Sequence, residues 1–227
     1  MTRQSGDGVF SDPRWGAVDA FFDEALQARD PSLDDVLARS DAAGLPSISV
    51  TALQGRLLQL LAESVNARSI LEIGTLGGFS AMWLARALAP GGRVTTIEAE
   101  PRHAVVARQS FRRAGVAEQI EILEGKAIEV LPTLADRSFD FTFIDADKPN
   151  TPAYFEWAIR LSHAGSLIVI DNVVRDGLIA DPSTTDVSAR AMREVCEAAG
   201  RDARLTATAI QTVGLKDYDG FLIARVR

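Results

Sequence analysis

Ser69-Ile-Leu-Glu-Ile-Gly-Thr-Leu-Gly-Gly-Phe-Ser80 is the stretch of sequence that decides the fold. It opens with an apolar run interrupted only by Glu72, continues with three glycines, and ends in a helical pattern that begins at Phe79. This order predicts a strand, a tight turn and a helix. Glycines such as Gly74 and Gly78 let the backbone approach a ligand closely, and a helix N-terminus offers unpaired N–H groups. The stretch therefore predicts a nucleoside-bearing ligand at the carboxyl end of a strand.

The composition bounds the class of protein. The 227 residues suit one α/β domain with a small appendage. The net charge is −7 and the chain has no basic block, which argues against nucleic acid as the main partner. The single Cys196 excludes an intrachain disulfide and a cysteine zinc site. Since the sequence shows neither a leader pattern nor an apolar run that could span a bilayer, we expect a cytoplasmic protein without a membrane partner.

Helical periodicity comes first along the chain, and alternating elements follow it. Helices are predicted over residues 15–29, 32–39 and 51–66, after a flexible terminus over residues 1–13. Later strands are predicted at 69–73, 93–97, 119–123, 139–144 and 166–170, later helices at 79–89, 101–114, 126–131, 152–162 and 184–199, and a terminal strand pair at 205–212 and 220–226. This alternation predicts a doubly wound, mainly parallel α/β sheet with helices on both faces. We expect one domain over 14–227, with accessory helices over 14–66 and a core over 67–227.

Small or acidic polar residues follow almost every predicted strand, at the edge of the sheet where ligands bind. Glu98 ends the second strand, and an acidic group there can accept both hydroxyl protons of a ribose. The alternative is a solvated or capping carboxylate. Gly125 and Ala127 follow the third strand. His103 lies in a helix-start pattern, where we expect a surface role.

Asp145, Asp171 and Asn172 are three oxygen-bearing side chains after the fourth and fifth strands. With no Cys or His nearby, they suit a hard cation, and Mg²⁺ is the natural choice, although Mn²⁺ or Ca²⁺ would also fit. The alternative is a helix cap at Asp145 and a turn at the Asp-Asn pair.

Lys148 follows Asp145 on the same loop. Beside a divalent cation its pKa would fall toward that of a useful base, whereas the alternative is an exposed lysine.

Three motifs together resemble the cation-dependent O-methyltransferases, a family that includes catechol and caffeoyl-coenzyme A O-methyltransferases. The motifs are Leu71-Glu-Ile-Gly-Thr-Leu-Gly-Gly-Phe-Ser80, Phe143-Ile-Asp-Ala-Asp-Lys148 and Ile170-Asp-Asn172, and the resemblance runs from about Val50 to the C-terminus. It implies a Rossmann-like methyltransferase fold with seven strands, the last of them antiparallel. It also implies a homodimer.

The resemblance also implies roles for individual residues. Those expected at the S-adenosylmethionine site are Val50, Glu72, Gly74, Thr75, Ser80, Glu98, Ala127 and Asp145, with Gly78 and Gly125 beside them. Asp145, Asp171 and Asn172 match the metal ligands. Lys148 matches the catalytic base, and Asp145 lies against the methionine end of the cofactor. Asp147, Lys148 and Asp176 match positions that line the acceptor site.

The expected reaction is methyl transfer to a hydroxyl of a catechol-like aromatic molecule. Departures from the family pattern at Leu76, Thr151 and the longer turn over 214–220 leave the acceptor open. We expect the loop over 175–187 to border the acceptor pocket, with no role assigned to its residues other than Asp176. One alternative is a nicotinamide-dependent oxidoreductase, but the glycines do not make its Gly-x-Gly-x-x-Gly pattern. Another is a non-catalytic S-adenosylmethionine-binding protein, which would need a broken metal set or a lost Lys148.

Overall fold

The computed structural model describes residues 11–28 and 30–227. Residues 1–10 and Arg29, on which part of the expected flexible terminus and the expected end of the first helix fall, lie outside this description. The first helix begins at Pro13 because Asp12 caps it, accepting a hydrogen bond from the backbone N–H of Arg14 at 2.9 Å. Residues 12 and 13 therefore belong to a helix start, which corrects the expectation of a flexible stretch up to residue 13.

The sequence predicted the order of the helices and strands correctly, with small shifts at their ends. The strands are β1 (Ser69–Ile73), β2 (Arg93–Glu98), β3 (Ile120–Glu124), β4 (Phe139–Ile144), β5 (Ser162–Asp171), β6 (Leu205–Gly214) and β7 (Asp217–Val226). The helices are α1 (Pro13–Ala25), α2 (Pro31–Ala42), α3 (Ala52–Ser64), α4 (Phe79–Arg86), α5 (Pro101–Ala114), α6 (Ala127–Val130), α7 (Thr151–Leu161) and α8 (Val187–Arg201). Short 3₁₀ turns occupy 131–133, 148–150 and 175–180.

The strands form one seven-stranded sheet in the order β3-β2-β1-β4-β5-β7-β6. Strands β1 to β5 are parallel, and β7 runs antiparallel to both β5 and β6. This arrangement confirms the predicted α/β class and the antiparallel last strand. The strand order reverses at β1, between β2 and β4, so the ligand crevice is expected above the carboxyl ends of these strands.

Apolar side chains cover both faces of the sheet. Ile70 packs with Trp83 and Phe141 on one face, whereas Leu71 packs with Phe155 and helix α8 on the other. Both faces are thus buried, as expected for parallel strands. Within the residues described, no helix combines the length and the apolar character needed to cross a bilayer.

The accessory helices pack on the side of the sheet that carries α4. Thr51 and Gln54 close a capping box at the start of α3. Gly55 then lets α3 approach α4, since a Cβ at this position would lie 2.2 Å from the Trp83 ring. The loop before α3 is thereby held close to the glycine turn, and Val50 in this loop faces the crevice.

Candidate active site

A cavity of about 730 Å³ opens at the carboxyl ends of the central strands. Its volume is in the range of small-molecule sites. Predicted site residues that line it are Val50, Gly74, Thr75, Ser80, Glu98, Gly125, Ala127, Asp145, Asp147, Lys148 and Asn172. The fold therefore brings most of the predicted cofactor, metal and acceptor residues to one cavity. Four others, Glu72, Gly78, Asp171 and Asp176, do not line it.

The glycine turn brings the end of β1 against the end of β4. Gly74 has a φ of +100°, and a Cβ there would lie 2.1 Å from the backbone oxygen of Asp145. Gly78 has a φ of +91°, and its Cβ would lie 2.4 Å from the Phe111 ring. Gly78 thus makes room for a neighbouring helix rather than for a ligand. Gly74 makes room for the strand end that carries Asp145, which joins the two halves of the site.

A buried carboxylate lies beneath this turn. Glu72 is completely buried, and its Oε2 accepts a hydrogen bond from the Thr96 hydroxyl at 2.6 Å. The Thr96 hydroxyl also lies 2.6 Å from that of Thr75, which faces the cavity. Burial raises the pKa of Glu72 to about 8. Glu72 thus supports the turn through two hydroxyl groups.

Glu98 is fixed by backbone donors at the end of β2. Its Oε2 accepts hydrogen bonds from the N–H groups of Thr75 at 3.1 Å and Leu76 at 2.8 Å. Its Oε1 accepts one from the N–H of Glu100 at 2.9 Å, and His103 Nδ1 lies 3.4 Å from the same oxygen. A carboxylate offers about four lone-pair sites, so Glu98 can still accept hydrogen bonds from a ligand.

An acidic cluster with one lysine occupies the ends of β4 and β5. The Lys148 ammonium donates a hydrogen bond to Asp145 Oδ1 at 2.8 Å, and its side chain is only 13% exposed. Asp171 is buried, and its Oδ1 accepts a hydrogen bond from the N–H of Asn172 at 2.7 Å. Burial, and next the negative charge of Asp145, raise the pKa of Asp171 above its ordinary value.

The chemistry of this cluster fits a hard divalent cation. Two carboxylates lie close enough for the charge of Asp145 to disfavour ionisation of Asp171. The amide of Asn172 adds a third oxygen, and a bound cation would offset the repulsion between the carboxylates. Among the described residues, no group of three or more His, Cys, Asp and Glu side chains is arranged to hold a metal. The candidate set is therefore two carboxylates and one amide.

The part of the cavity wall that follows β4 contains a second polar cluster. Asp147 accepts a hydrogen bond from the Tyr154 hydroxyl at 2.6 Å and another from the Asn150 amide. Burial, and next this contact with Asp147, raise the pKa of Tyr154. Asp176 is exposed and does not line the cavity, because the backbone at residues 175–177 turns it outward with positive φ angles.

A model of the O-methyltransferase family matches residues 27–226. The chain belongs to the O-methyltransferase family. This membership confirms the predicted family and the predicted class of enzyme. It also decides against the nicotinamide-dependent oxidoreductase considered as an alternative.

Several relatives match nearly the whole chain. A catechol O-methyltransferase of Mycobacterium tuberculosis is 53% identical over 97% of this chain and 100% of its own length. A catechol O-methyltransferase of Niastella koreensis is 44% identical over 93% of this chain and 97% of its own. An O-methyltransferase of Bacillus cereus, whose crystal structure was solved in complex with SAH, is 46% identical in sequence to this chain. The match covers 94% of this chain and 99% of the Bacillus cereus chain, with a TM-score of 0.92.

The sequence analysis predicted no site role for three residues that line the cavity of this O-methyltransferase. His103 lines the cavity, which corrects the expected surface role: α5 begins three residues after β2 ends, so its first turn lies beside Glu98. Tyr154 was missed because it lies on α7 and contacts Asp147 only through the fold. Arg175 begins the loop over 175–187 that the sequence analysis expected to border the acceptor pocket, and it lines the cavity, although no role was predicted for it.

Proposed function

We propose that this O-methyltransferase moves the methyl group of S-adenosylmethionine to one hydroxyl of a catechol-like aromatic molecule, with the help of a divalent cation. The observation that carries the proposal is the cluster of Asp145, Lys148, Asp171 and Asn172 at the ends of β4 and β5. This cluster adjoins the cavity beside the glycine turn. The catechol O-methyltransferase names of the two curated relatives support the acceptor class.

The cofactor half of the cavity suits S-adenosylmethionine, which supplies an electrophilic methyl group on a sulfonium. The SAH-bound Bacillus cereus relative supports this choice, since S-adenosylhomocysteine is the product left after methyl transfer. Glu98 is buried and held by three backbone N–H groups, so its carboxylate is set to accept hydrogen bonds from the ribose hydroxyls. The other proposed cofactor contacts are Val50, Glu72, Gly74, Thr75, Gly78, Ser80, Gly125, Ala127 and Asp145. Of these, Glu72 and Gly78 act from behind the cavity wall.

We propose Asp145, Asp171 and Asn172 as the side chains that hold the cation, with Mg²⁺ preferred and Mn²⁺ or Ca²⁺ as alternatives. A cation held by these side chains would act as a Lewis acid and would lower the pKa of an acceptor hydroxyl. The three protein ligands come from two adjacent strands of the core. Their rigidity favours accurate placement of the acceptor, which is the main demand of a methyl transfer in line with the sulfonium.

Lys148 is proposed as the base that accepts the proton of the acceptor hydroxyl. Its side chain is mostly buried and its amino group lies 2.8 Å from Asp145, so it is held beside one of the proposed metal ligands. A nearby divalent cation disfavours the ammonium form and favours the neutral amine that a base requires. Asp147, held by Tyr154 and Asn150, is proposed to form one wall of the acceptor site. Asp176 stays a prediction for its outer rim.

The test combines chelation with two substitutions. Methyl transfer from S-adenosylmethionine to a panel of catechols should stop in excess chelator and return with Mg²⁺. Asp171→Ala and Lys148→Ala should each lower kcat by roughly 10²-fold or more, as expected for loss of a metal ligand or a general base. Calorimetric binding of S-adenosylhomocysteine should persist in both. Asp181→Ala, which removes an exposed carboxylate outside the cavity, is the matched control.

Two outcomes would contradict the proposal. Full activity of Asp171→Ala in excess chelator would exclude the cation mechanism. Binding of S-adenosylhomocysteine by the native protein without turnover of any phenolic acceptor would favour the non-catalytic alternative. We also propose that the chain forms a homodimer in the cytoplasm.

A further inference from the structure

Arg175 projects into the cavity from a strained segment that follows the end of β5. Residues 175–177 have φ angles of +52°, +54° and +86°. The first two are not glycines, and this left-handed backbone is unfavourable for them. Asp219 holds the segment in place, because its Oδ1 accepts hydrogen bonds from the N–H groups of Val174 at 2.9 Å and Arg175 at 3.1 Å. The direction in which the Cα–Cβ bond of Arg175 leaves the backbone is thus fixed.

Within residues 11–28 and 30–227, no group accepts a hydrogen bond from the guanidinium of Arg175. Its Nη1 lies 4.0 Å from Asp219 Oδ2, which is too far for a hydrogen bond. Its Nε is buried and has no hydrogen-bond partner among the described residues. The other oxygen of Asp219 is already engaged by backbone N–H groups, including that of Gly220. Because the Nε is buried, the Nη groups are the donors that a ligand in the cavity can reach, on a side chain that is 33% exposed.

The other cations of the cavity are engaged or lie on its cofactor half. Lys148 donates its hydrogen bond to Asp145. His103 lies beside Glu98, at the end of β2. Lys126 follows β3, which is on the far side of β2 from the acidic cluster. Lys216 lies near enough to Asp145 and Asp171 to interact with their charges, but it does not line the cavity, and its ammonium donates a hydrogen bond to the backbone oxygen of Ser47 at 3.0 Å. Within the described part of the chain, Arg175 is thus the cation of the cavity lining that remains for a ligand on the acceptor half.

We infer that the acceptor is an anionic catechol, a dihydroxy aromatic with a carboxylate on its ring or side chain, and that Arg175 binds this carboxylate. The planar guanidinium matches a carboxylate with two parallel hydrogen bonds. Such a contact uses the donors that the protein leaves unpaired, and it explains why a strained backbone is kept at this position. The inference rests on the function proposed above, since it describes the acceptor of that reaction.

The experiment compares 3,4-dihydroxybenzoate with its primary amide, which has the same ring and nearly the same shape but no charge. For each variant, the ratio of kcat/KM for the acid to kcat/KM for the amide is measured. The two acceptors differ in intrinsic reactivity, but this difference cancels when the ratio of a variant is divided by that of the native enzyme. Arg175→Gln should lower the ratio at least tenfold, mainly through KM of the acid, and Arg175→Lys should give an intermediate ratio because it keeps the charge without the fork.

The matched control is Arg193→Gln, which removes the same charge. The Nε of Arg193 is also buried without a hydrogen-bond partner, but this residue lies in a different pocket, beside α8. Its ratio should equal that of the native enzyme. If Arg175→Gln lowers kcat/KM equally for the acid and the amide, its acid-to-amide ratio will equal that of Arg193→Gln. This result would overturn the role of Arg175. If neither acceptor is methylated by the native enzyme while other catechols are, the carboxylate inference is wrong. If no catechol is methylated at all, the proposed function itself fails.

Discussion

Glu72 should make the ligand-free protein less stable as the pH rises. Burial raises its pKa from an ordinary value of 4.5 to about 8, so the folded protein keeps a proton that the unfolded chain releases. Stability is therefore highest below pH 4.5 for this group, and it is lost progressively up to about pH 8. Glu72→Gln has no proton to release and keeps an oxygen for the Thr96 hydroxyl. It should remove a pH-dependent difference of about 3 kcal/mol.

Denaturant unfolding at about pH 5 and about pH 8.5 measures this difference. Glu118→Gln, a substitution at an exposed glutamate, serves as the control and should leave the pH dependence unchanged. If Glu72→Gln and the native protein lose the same stability between the two pH values, Glu72 is already ionised in the folded state. The hydrogen bond from Thr96 would then be stabilising a buried charge.

Single residues were predictable from the sequence where the chain itself placed them at a strand end. Glu98 and Asp145 were found in this way, since each directly follows a short apolar run. Tyr154 was not, because its link to Asp147 depends on how α7 packs after the 3₁₀ turn. The surroundings of Glu98 were also beyond prediction: its carboxylate is bonded by backbone N–H groups, whose direction a sequence does not show.

The contact between α2 and the glycine turn should depend on the absence of a side chain at Gly77. A Cβ there would lie 1.9 Å from Ser40 Oγ and 3.2 Å from Ser40 Cβ. Ser40 is buried, and its hydroxyl donates to the backbone oxygen of Val36 at 2.9 Å, so it cannot easily turn away. Gly77→Ala should therefore destabilise the protein by about 1–3 kcal/mol.

A double-mutant cycle tests this contact by denaturant unfolding. Adding Ser40→Ala to Gly77→Ala should recover part of the loss, because it removes the atom that clashes first. Ser40→Ala alone should cost only about 1 kcal/mol, the value of one hydrogen bond. Strictly additive effects of the two substitutions would mean that the strain of Gly77→Ala arises elsewhere.

Elements were predicted well where periodicity was strong and less well where side chains shape the backbone. Strand β5 begins at Ser162 rather than at the predicted residue 166. The extension is held by Ser166, whose hydroxyl donates to the backbone oxygen of Phe139 and accepts a hydrogen bond from the N–H of His163. These hydrogen bonds lie at the register shift between Phe139 and Phe141 in the pairing of β4 with β5. A hydrophobic pattern does not predict such bonds.

The topology of the whole molecule follows from general rules, whereas its assembly does not. Alternating strands and helices with right-handed crossovers leave few arrangements, and the reversal at β1 is the common one. The cavity lies at this reversal, which is why strand-end residues could be grouped before the fold was known. Association between copies depends on surface patches, whose exposure is visible only once the helices are packed.

Helix α1 carries such a patch. Its exposed apolar side chains are Val18, Phe21, Phe22 and Leu26, with Phe21 64% and Leu26 61% exposed. They recur at the spacing of one helix face, and contiguous exposed apolar surface of this kind marks interfaces. We expect this face to bury itself against a second copy. Phe21→Glu combined with Phe22→Glu should then convert a dimer to a monomer, because charged groups in the centre of an apolar interface are strongly unfavourable.

Sedimentation velocity at micromolar protein concentration measures the change in mass. Val105→Glu on α5 is the control, since it places the same charge at a similarly exposed apolar residue on another helix, and it should leave the dimer intact. A monomeric native protein would contradict the proposed homodimer. A dimer that survives both charges on α1 would place the interface elsewhere on the molecule. Only loss of the dimer in the α1 variant, with the α5 variant unchanged, supports α1 as the contact between copies.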